Sequence, residues 1–135
     1  MMYYFKKSEF RKDPDKCNPI LFDVMDEMRN IAGVPIVIHV AWSDSGHSKN
    51  SYHYRGQAVD FHFEGLSYLE QFAVISCLTA INGVGFYPWW NSPGWHIDLR
   101  KEPKFWLCVN KNTYIYDKKD LLIEISNGNI GATKQ

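Results

Sequence analysis

Two histidines, an aspartate, an arginine and a serine fall within the thirteen residues of SYHYRGQAVDFHF, positions 51–63. Imidazole nitrogen and carboxylate oxygen bind zinc at about 2.0–2.2 Å, and a catalytic zinc keeps three protein ligands and one open position. His53 and Asp60 are seven positions apart, too far for one turn of helix. A reversal at Arg55-Gly56 brings them together, and glycine supplies the backbone freedom for it. After the reversal the residues alternate: Val59, Phe61 and Phe63 make an apolar face, while Ala58, Asp60 and His62 share the other. A third ligand has to come from elsewhere. GWHIDLR, residues 94–100, offers His96, which with Asp98 lies on the polar face of a strand whose other face is Trp95, Ile97 and Leu99. If His96 binds metal, Asp98 lies beside the bound water or supports the histidine. The plain alternative is an ordinary hydrogen-bonded pair of His53 and Asp60.

Several elements must position these residues. Ile20, Leu21, Val24, Met25, Met28 and Ile31 recur at helical spacing, with Asn18 and Pro19 as start and Gly33 as stop. PIVIHVAW (35–42) reads as a buried strand in which His39 is a core histidine. SDSGHSKNS (43–51) is a polar loop, and GQAVDFHF (56–63) is the strand carrying Asp60. The segment 67–83 predicts a helix opened by a Ser67/Glu70 capping box and closed by Gly83. Strands follow at 84–88 and 94–100, then a hairpin over 104–117 turning at Asn110–Asn112, then a helix over 118–128. Mixed helices and strands, with the late strands close in sequence, predict a single α+β domain over 1–135. Its sheet is mainly antiparallel with flanking helices.

The composition is 45% hydrophobic and 16% aromatic, which excludes a disordered chain. Fifteen basic residues balance fifteen acidic ones, so no broad basic field serves nucleic acid. Cys17, Cys77 and Cys108 lack paired spacing and read as free thiols, two of them buried, in a reducing compartment. The opening MMYYFKKSEFRKD has no apolar segment of signal-peptide type, and no stretch is long enough to span a membrane. Synthesis in the cytoplasm is expected.

SYHYRGQAVDFHF also resembles the SxHxxGxAxD motif of the M15 zinc peptidases, the D-Ala-D-Ala carboxypeptidase and phage endolysin group. Ser51, His53, Gly56, Ala58 and Asp60 meet all five fixed positions. GVGFYPWWNSPGWHIDLR (83–100) is similar to the GVGxYP…HxD segment of the branch with small murein peptidases. The resemblance covers roughly residues 18–107. It implies zinc held by His53, Asp60 and His96, and an M15-like fold.

Two departures bear on the activity. Many members carry a glutamate base three residues before the last histidine, where this chain has Pro93. Asp98 is then the candidate catalytic base, with orientation of His96 as its alternative role; His62 and Glu64 are reserves. Members often carry a substrate-binding arginine in the loop before the first motif, where this chain has none. His47, Lys49 or Arg55 stands in its place. Ser51, Arg55, His62 and Tyr87 are the candidate substrate contacts. Ser51 either bonds loop backbone or touches substrate. Tyr87, Trp89, Trp90 and Trp95 either line a groove or pack as a cluster. Arg100 and Lys101 read as solvated. The expected function is zinc-dependent hydrolysis of a peptide bond in peptidoglycan stem peptides by a monomer that binds neither nucleic acid nor membrane. A phage or prophage lysis role fits it. The rival is a degenerate metal-binding structural or virion module.

Overall fold

The computed structural model describes residues 2–132, with side chains through residue 127. Asn18 accepts the Ile20 amide at 3.0 Å and Pro19 occupies the first turn, so helix α1 runs Pro19–Ala32 and stops at Gly33. Strand β1 is Ile36–Val40. A short 3-10 turn, Tyr52–Arg55, precedes β2, Ala58–Phe63. Helix α2 is Tyr68–Ser76, opened by the predicted Ser67/Glu70 capping box. Strands β3 (Gly83–Tyr87), β4 (Gly94–Asp98), β5 (Lys104–Asn110) and β6 (Thr113–Ile115) lead to helix α3, Lys118–Ala132. The side chain of Asp117 accepts the Lys119 amide at 2.7 Å and starts α3.

The six strands form one sheet in the order β1-β2-β4-β3-β5-β6, antiparallel at every pairing except β3 with β5. This is the α+β architecture that the sequence predicts, with three α-helices packed on a mostly antiparallel sheet. One sheet face carries the core. Ile36, Ile38, Val59, Phe61, Phe63, Val84, Phe86, Trp95, Ile97 and Leu107 are buried with Leu21, Val24, Met25 and Met28 of α1, Phe72 and Ile75 of α2, and Leu121 and Ile125 of α3. Burying such side chains stabilises each by about 1.5–3 kcal/mol. The Trp95 indole lies in this core and donates from Nε1 to Gln71 Oε1 at 2.8 Å, while Gln71 Nε2 donates to the Gly65 and Leu66 carbonyls. The strand bearing His96 is thereby tied to α2 from beneath.

Three details differ from the sequence reading. The second helix ends at Ser76 rather than Gly83. Gly83 instead opens β3, where a Cβ would strike the Asp98 carboxylate. Ile20 and Ile31 sit at the margin of the α1 stripe and are 49% and 40% exposed. His39 alternates with the buried Ile36 and Ile38, so its ring faces His62 on the other side of the sheet instead of the core. Cys17 and Cys108 are buried and Cys77 is exposed, all as free thiols. No helix among the described residues is long and apolar enough to cross a membrane.

Candidate metal centre

The face of the sheet opposite the core carries the polar residues. Asp60 on β2 is the direct cross-strand partner of His96 on β4, and Ala58 is the partner of Asp98. His53 reaches the same place from the 3-10 turn. Ser51 caps that turn by accepting the His53 amide at 3.1 Å. Gly56 closes the turn at φ 67°, and a Cβ there would collide with the Lys16 carbonyl, so glycine is required on both counts.

The hydrogen bonds fix what each imidazole presents. His53 is 1% exposed, and its Nδ1 is 2.7 Å from the Ala41 carbonyl oxygen. A carbonyl only accepts, so Nδ1 carries a proton, and Nε2 is the nitrogen turned toward Asp60. That nitrogen is 3.1 Å from Asp60 Oδ1. His96 is arranged the other way round, with Nε2 2.7 Å from Asp98 Oδ2 and Nδ1 3.0 Å from Asp60 Oδ1. Two imidazole nitrogens thus converge on one carboxylate oxygen, and each contact needs a proton or a cation between its atoms. Ligand atoms about 2.0–2.2 Å from a tetrahedral zinc are roughly 3.3–3.6 Å from one another. The donor types, imidazole nitrogen and carboxylate oxygen, suit a divalent cation.

The electrostatics point the same way. Burial opposes ionisation of Asp60, but the field and hydrogen bonds of His53 and His96 outweigh it and hold the carboxyl far below the usual carboxylate range. Burial also opposes charge on His96, yet its bonds to Asp60 and Asp98 raise its pKa to about 9. The site is built to hold positive charge.

Asp98 is fully buried and has no free edge. Its Oδ1 accepts Arg100 Nε at 2.8 Å and the Arg100 amide at 3.1 Å, and its Oδ2 takes Arg100 Nη2 and His96 Nε2, each at 2.7 Å. Arg100 is therefore paired rather than simply solvated, and its guanidinium lies between the rings of Tyr52 and Trp106 at 4.7 and 5.0 Å. Gly83 and Gly85 make this crowding possible. A Cβ on Gly83 would strike the Asp98 carboxylate, and one on Gly85 would strike the Trp106 indole, which lies 5.1 Å from the His96 ring.

A cleft of about 850 Å³ opens over Asp60 and His96. One side is the loop from Gly46 to His53. The other holds Tyr87, Trp89, Trp90, Trp106, Tyr114 and Tyr116. Tyr87 stacks on Trp90 at 4.5 Å, and its hydroxyl accepts Trp106 Nε1 at 3.0 Å. Lys49, Arg100, Lys104 and Lys111 also line the cleft, against Asp60 as the one acidic group among its lining residues.

Of the expected substrate contacts, Ser51 and Tyr87 line this cleft. Arg55 and His62 do not. The Arg55 guanidinium lies over the Tyr52 ring at 4.8 Å, and His62 Nδ1 is 2.7 Å from His39 Nε2. Trp95 belongs to the core, while Trp89 and Trp90 border the cleft. His47 is nearer the centre than its loop position suggests. Its ring stacks on His53 at 4.1 Å, and His47, His53 and Asp60 each offer a ligand atom, all within 4.8 Å of one another. Trp106, Tyr114 and Tyr116 were not expected at the site. The aromatic residues of KFWLCVNKNTYIY are the one signal that could have found them.

The M15 family model described as peptidoglycan L,D-endopeptidase MepK matches residues 3–103. The chain belongs to the M15 peptidase family. The match takes in β1 to β4 and every residue of the imidazole–carboxylate cluster, and it ends just before β5. No curated protein matches the chain.

Proposed function

We propose that the protein is a zinc-dependent peptidase that hydrolyses a peptide bond in bacterial peptidoglycan. The observation that carries this reading is the convergence of His53 Nε2 and His96 Nδ1 on Asp60 Oδ1 at 3.1 and 3.0 Å. Each ring has its other nitrogen held by a fixed acceptor, as metal-bound histidines usually do. His53, Asp60 and His96 would hold the metal. Zinc, when bound, supplies Lewis acidity toward water and the scissile carbonyl.

The chain's own residues do the rest. The Ala41 carbonyl and Asp98 set the tautomers of His53 and His96. Asp98 acts in this reading as a positioning residue, because both its oxygens are committed to Arg100 and His96. Trp106 and the Tyr87–Trp90 stack shield one side of the centre from water. Lys49, Lys104 and Lys111 of the cleft attract the carboxylates of an acidic stem peptide. The description of the matching family model favours an L,D-endopeptidase over a carboxypeptidase.

A second reading keeps the metal without the catalysis. Pro93 stands where the resemblance places a glutamate, and Asp98 has no free oxygen to replace it. Two measurements separate the readings. Elemental analysis of the purified protein is expected to give about one zinc per chain. Digestion of purified peptidoglycan, followed by mass spectrometry, is expected to release fragments cut at a peptide bond. Zinc without any cleavage supports the binding module, and absence of zinc after reconstitution ends both readings.

A further inference from the structure

We propose that His47 is an additional, displaceable ligand of this metal centre, and that the loop 43–51 acts as a latch over it. The inference rests on the metal reading above and concerns a residue outside the His53–Asp60–His96 set.

Three observations carry it. The first is position. The ligand atoms of His47, His53 and Asp60 all lie within 4.8 Å of one another, although His47 comes from the loop and not from the strands. The second is that its ring is uncommitted. Neither ring nitrogen of His47 has a hydrogen-bond partner among the described residues, while the ring is held by stacking on His53 with an 18° interplanar angle. A stacking role alone would not need free nitrogens at ligand distance. The third is the backbone clamp. The Tyr54 hydroxyl accepts the His47 amide at 2.9 Å and donates to the His47 carbonyl at 2.8 Å. Tyr54 belongs to the same 3-10 turn as His53, so the element that presents one histidine also fixes the other.

The consequence for the chemistry follows from coordination number. Zinc with four protein ligands is a closed, structural type of site, whereas a working site keeps one position open. His53, Asp60 and His96 already make three. The ligand atoms that converge within 4.8 Å are those of His47, His53 and Asp60, so in this reading His47 completes the centre at rest and its withdrawal frees a position. Withdrawal in this reading is a movement of the side chain, since Tyr54 holds the His47 backbone and leaves the ring nitrogens free. No residue from Ser43 to Asn50 belongs to the hydrophobic core. The loop's attachments to the body include the two Tyr54 bonds to the His47 backbone, the Ser43 amide on the His53 carbonyl at 3.2 Å and the exposed Lys12–Asp44 pair. Ser48, Lys49 and Asn50 of this loop line the same cleft as Asp60.

The test compares the wild-type chain with His47→Ala, His47→Gln and His53→Ala. Zinc affinity is measured by chelator competition, Co2+ is used as a spectroscopic probe, and acetohydroxamate serves as a small ligand for an open position. Far-UV circular dichroism checks folding, and the glutamine variant provides a second polar replacement if alanine disturbs the loop. In both His47 variants zinc affinity is expected to fall about 10–100-fold, the range seen when a supporting group at a metal site is lost. The Co2+ visible spectrum is expected to change, and acetohydroxamate to bind more tightly than to wild type. An unchanged zinc affinity and Co2+ spectrum in both variants, with binding abolished in His53→Ala, overturns the latch and leaves the metal centre standing. A wild type that binds no zinc overturns both.

Discussion

Asp60 and His96 stand directly opposite each other on antiparallel strands, and the Asp60 oxygen that meets His96 Nδ1 at 3.0 Å also meets His53 Nε2 at 3.1 Å. One carboxylate oxygen therefore organises imidazoles that arrive from two different elements. Asp60→Asn keeps the side-chain shape but removes the charge and turns one oxygen into a donor amide. The variant is expected to fold and to retain no zinc after dialysis, as read by elemental analysis. A stoichiometric zinc content in it would remove Asp60 from the ligand set.

Asp98 offers a sharper distinction, because orienting a ligand and accepting a proton fail differently. Asp98→Asn is expected to weaken zinc binding about 10–100-fold, with activity returning at saturating zinc. Full metal affinity combined with lost cleavage would instead make Asp98 the base. The asparagine also leaves Arg100 unpaired between two aromatic rings, so a lower melting temperature is expected alongside.

Gly85→Ala probes the crowding on the site face. The new Cβ meets the Trp106 indole, which is 5% exposed and has little room to retreat. Overpacking of this kind costs about 1–3 kcal/mol. Thermal unfolding should report that loss, and Trp106 fluorescence should shift as the ring is displaced from His96. A variant as stable as wild type, with an unshifted spectrum, would show that the ring moves freely.

The acid side of the stability profile depends in part on His39. Burial lowers its pKa below the ordinary 6.5, and the neighbouring His62 adds to the effect. The folded chain thus binds fewer protons at His39 than the unfolded chain does. The stability it contributes is present above about pH 6.5 and is lost as pH falls below that value. Urea midpoints at about pH 7 and about pH 5 should fall more for wild type than for His39→Gln. Equal losses in the two proteins would count against this role for His39.

Much of the centre was legible in the sequence because strand alternation is a local rule. Asp60 and His96 sit among apolar neighbours at period two, and that alone assigned both to the face opposite the core. The starts of α1 and α2 were legible for the same reason, since a cap is a matter of a few adjacent residues. The end of α2 was not. A glycine that stops a helix and a glycine that makes room for a carboxylate look alike in sequence, and Gly83 is the second kind. Arg100 and Asp98 are two positions apart in the chain, but their mutual burial depends on Tyr52 and Trp106, which arrive from distant elements. His47 lies in a loop with no periodicity, so nothing local distinguished it from Lys49. The glycine pair in GVG, placed where a strand should carry side chains, was the one local sign that the polar face is crowded.

The hairpin of β5 and β6 begins where the family match ends, and it joins the strands that carry Asp60 and His96 only through β3. It nevertheless supplies Trp106, Tyr114, Tyr116 and two of the lysines that border the cleft. The molecule is thus arranged like a vice whose jaw and anvil touch: Trp106 of the jaw lies 5.1 Å from the His96 ring and covers one side of Arg100, so sequence change in the jaw is felt at the imidazole–carboxylate cluster.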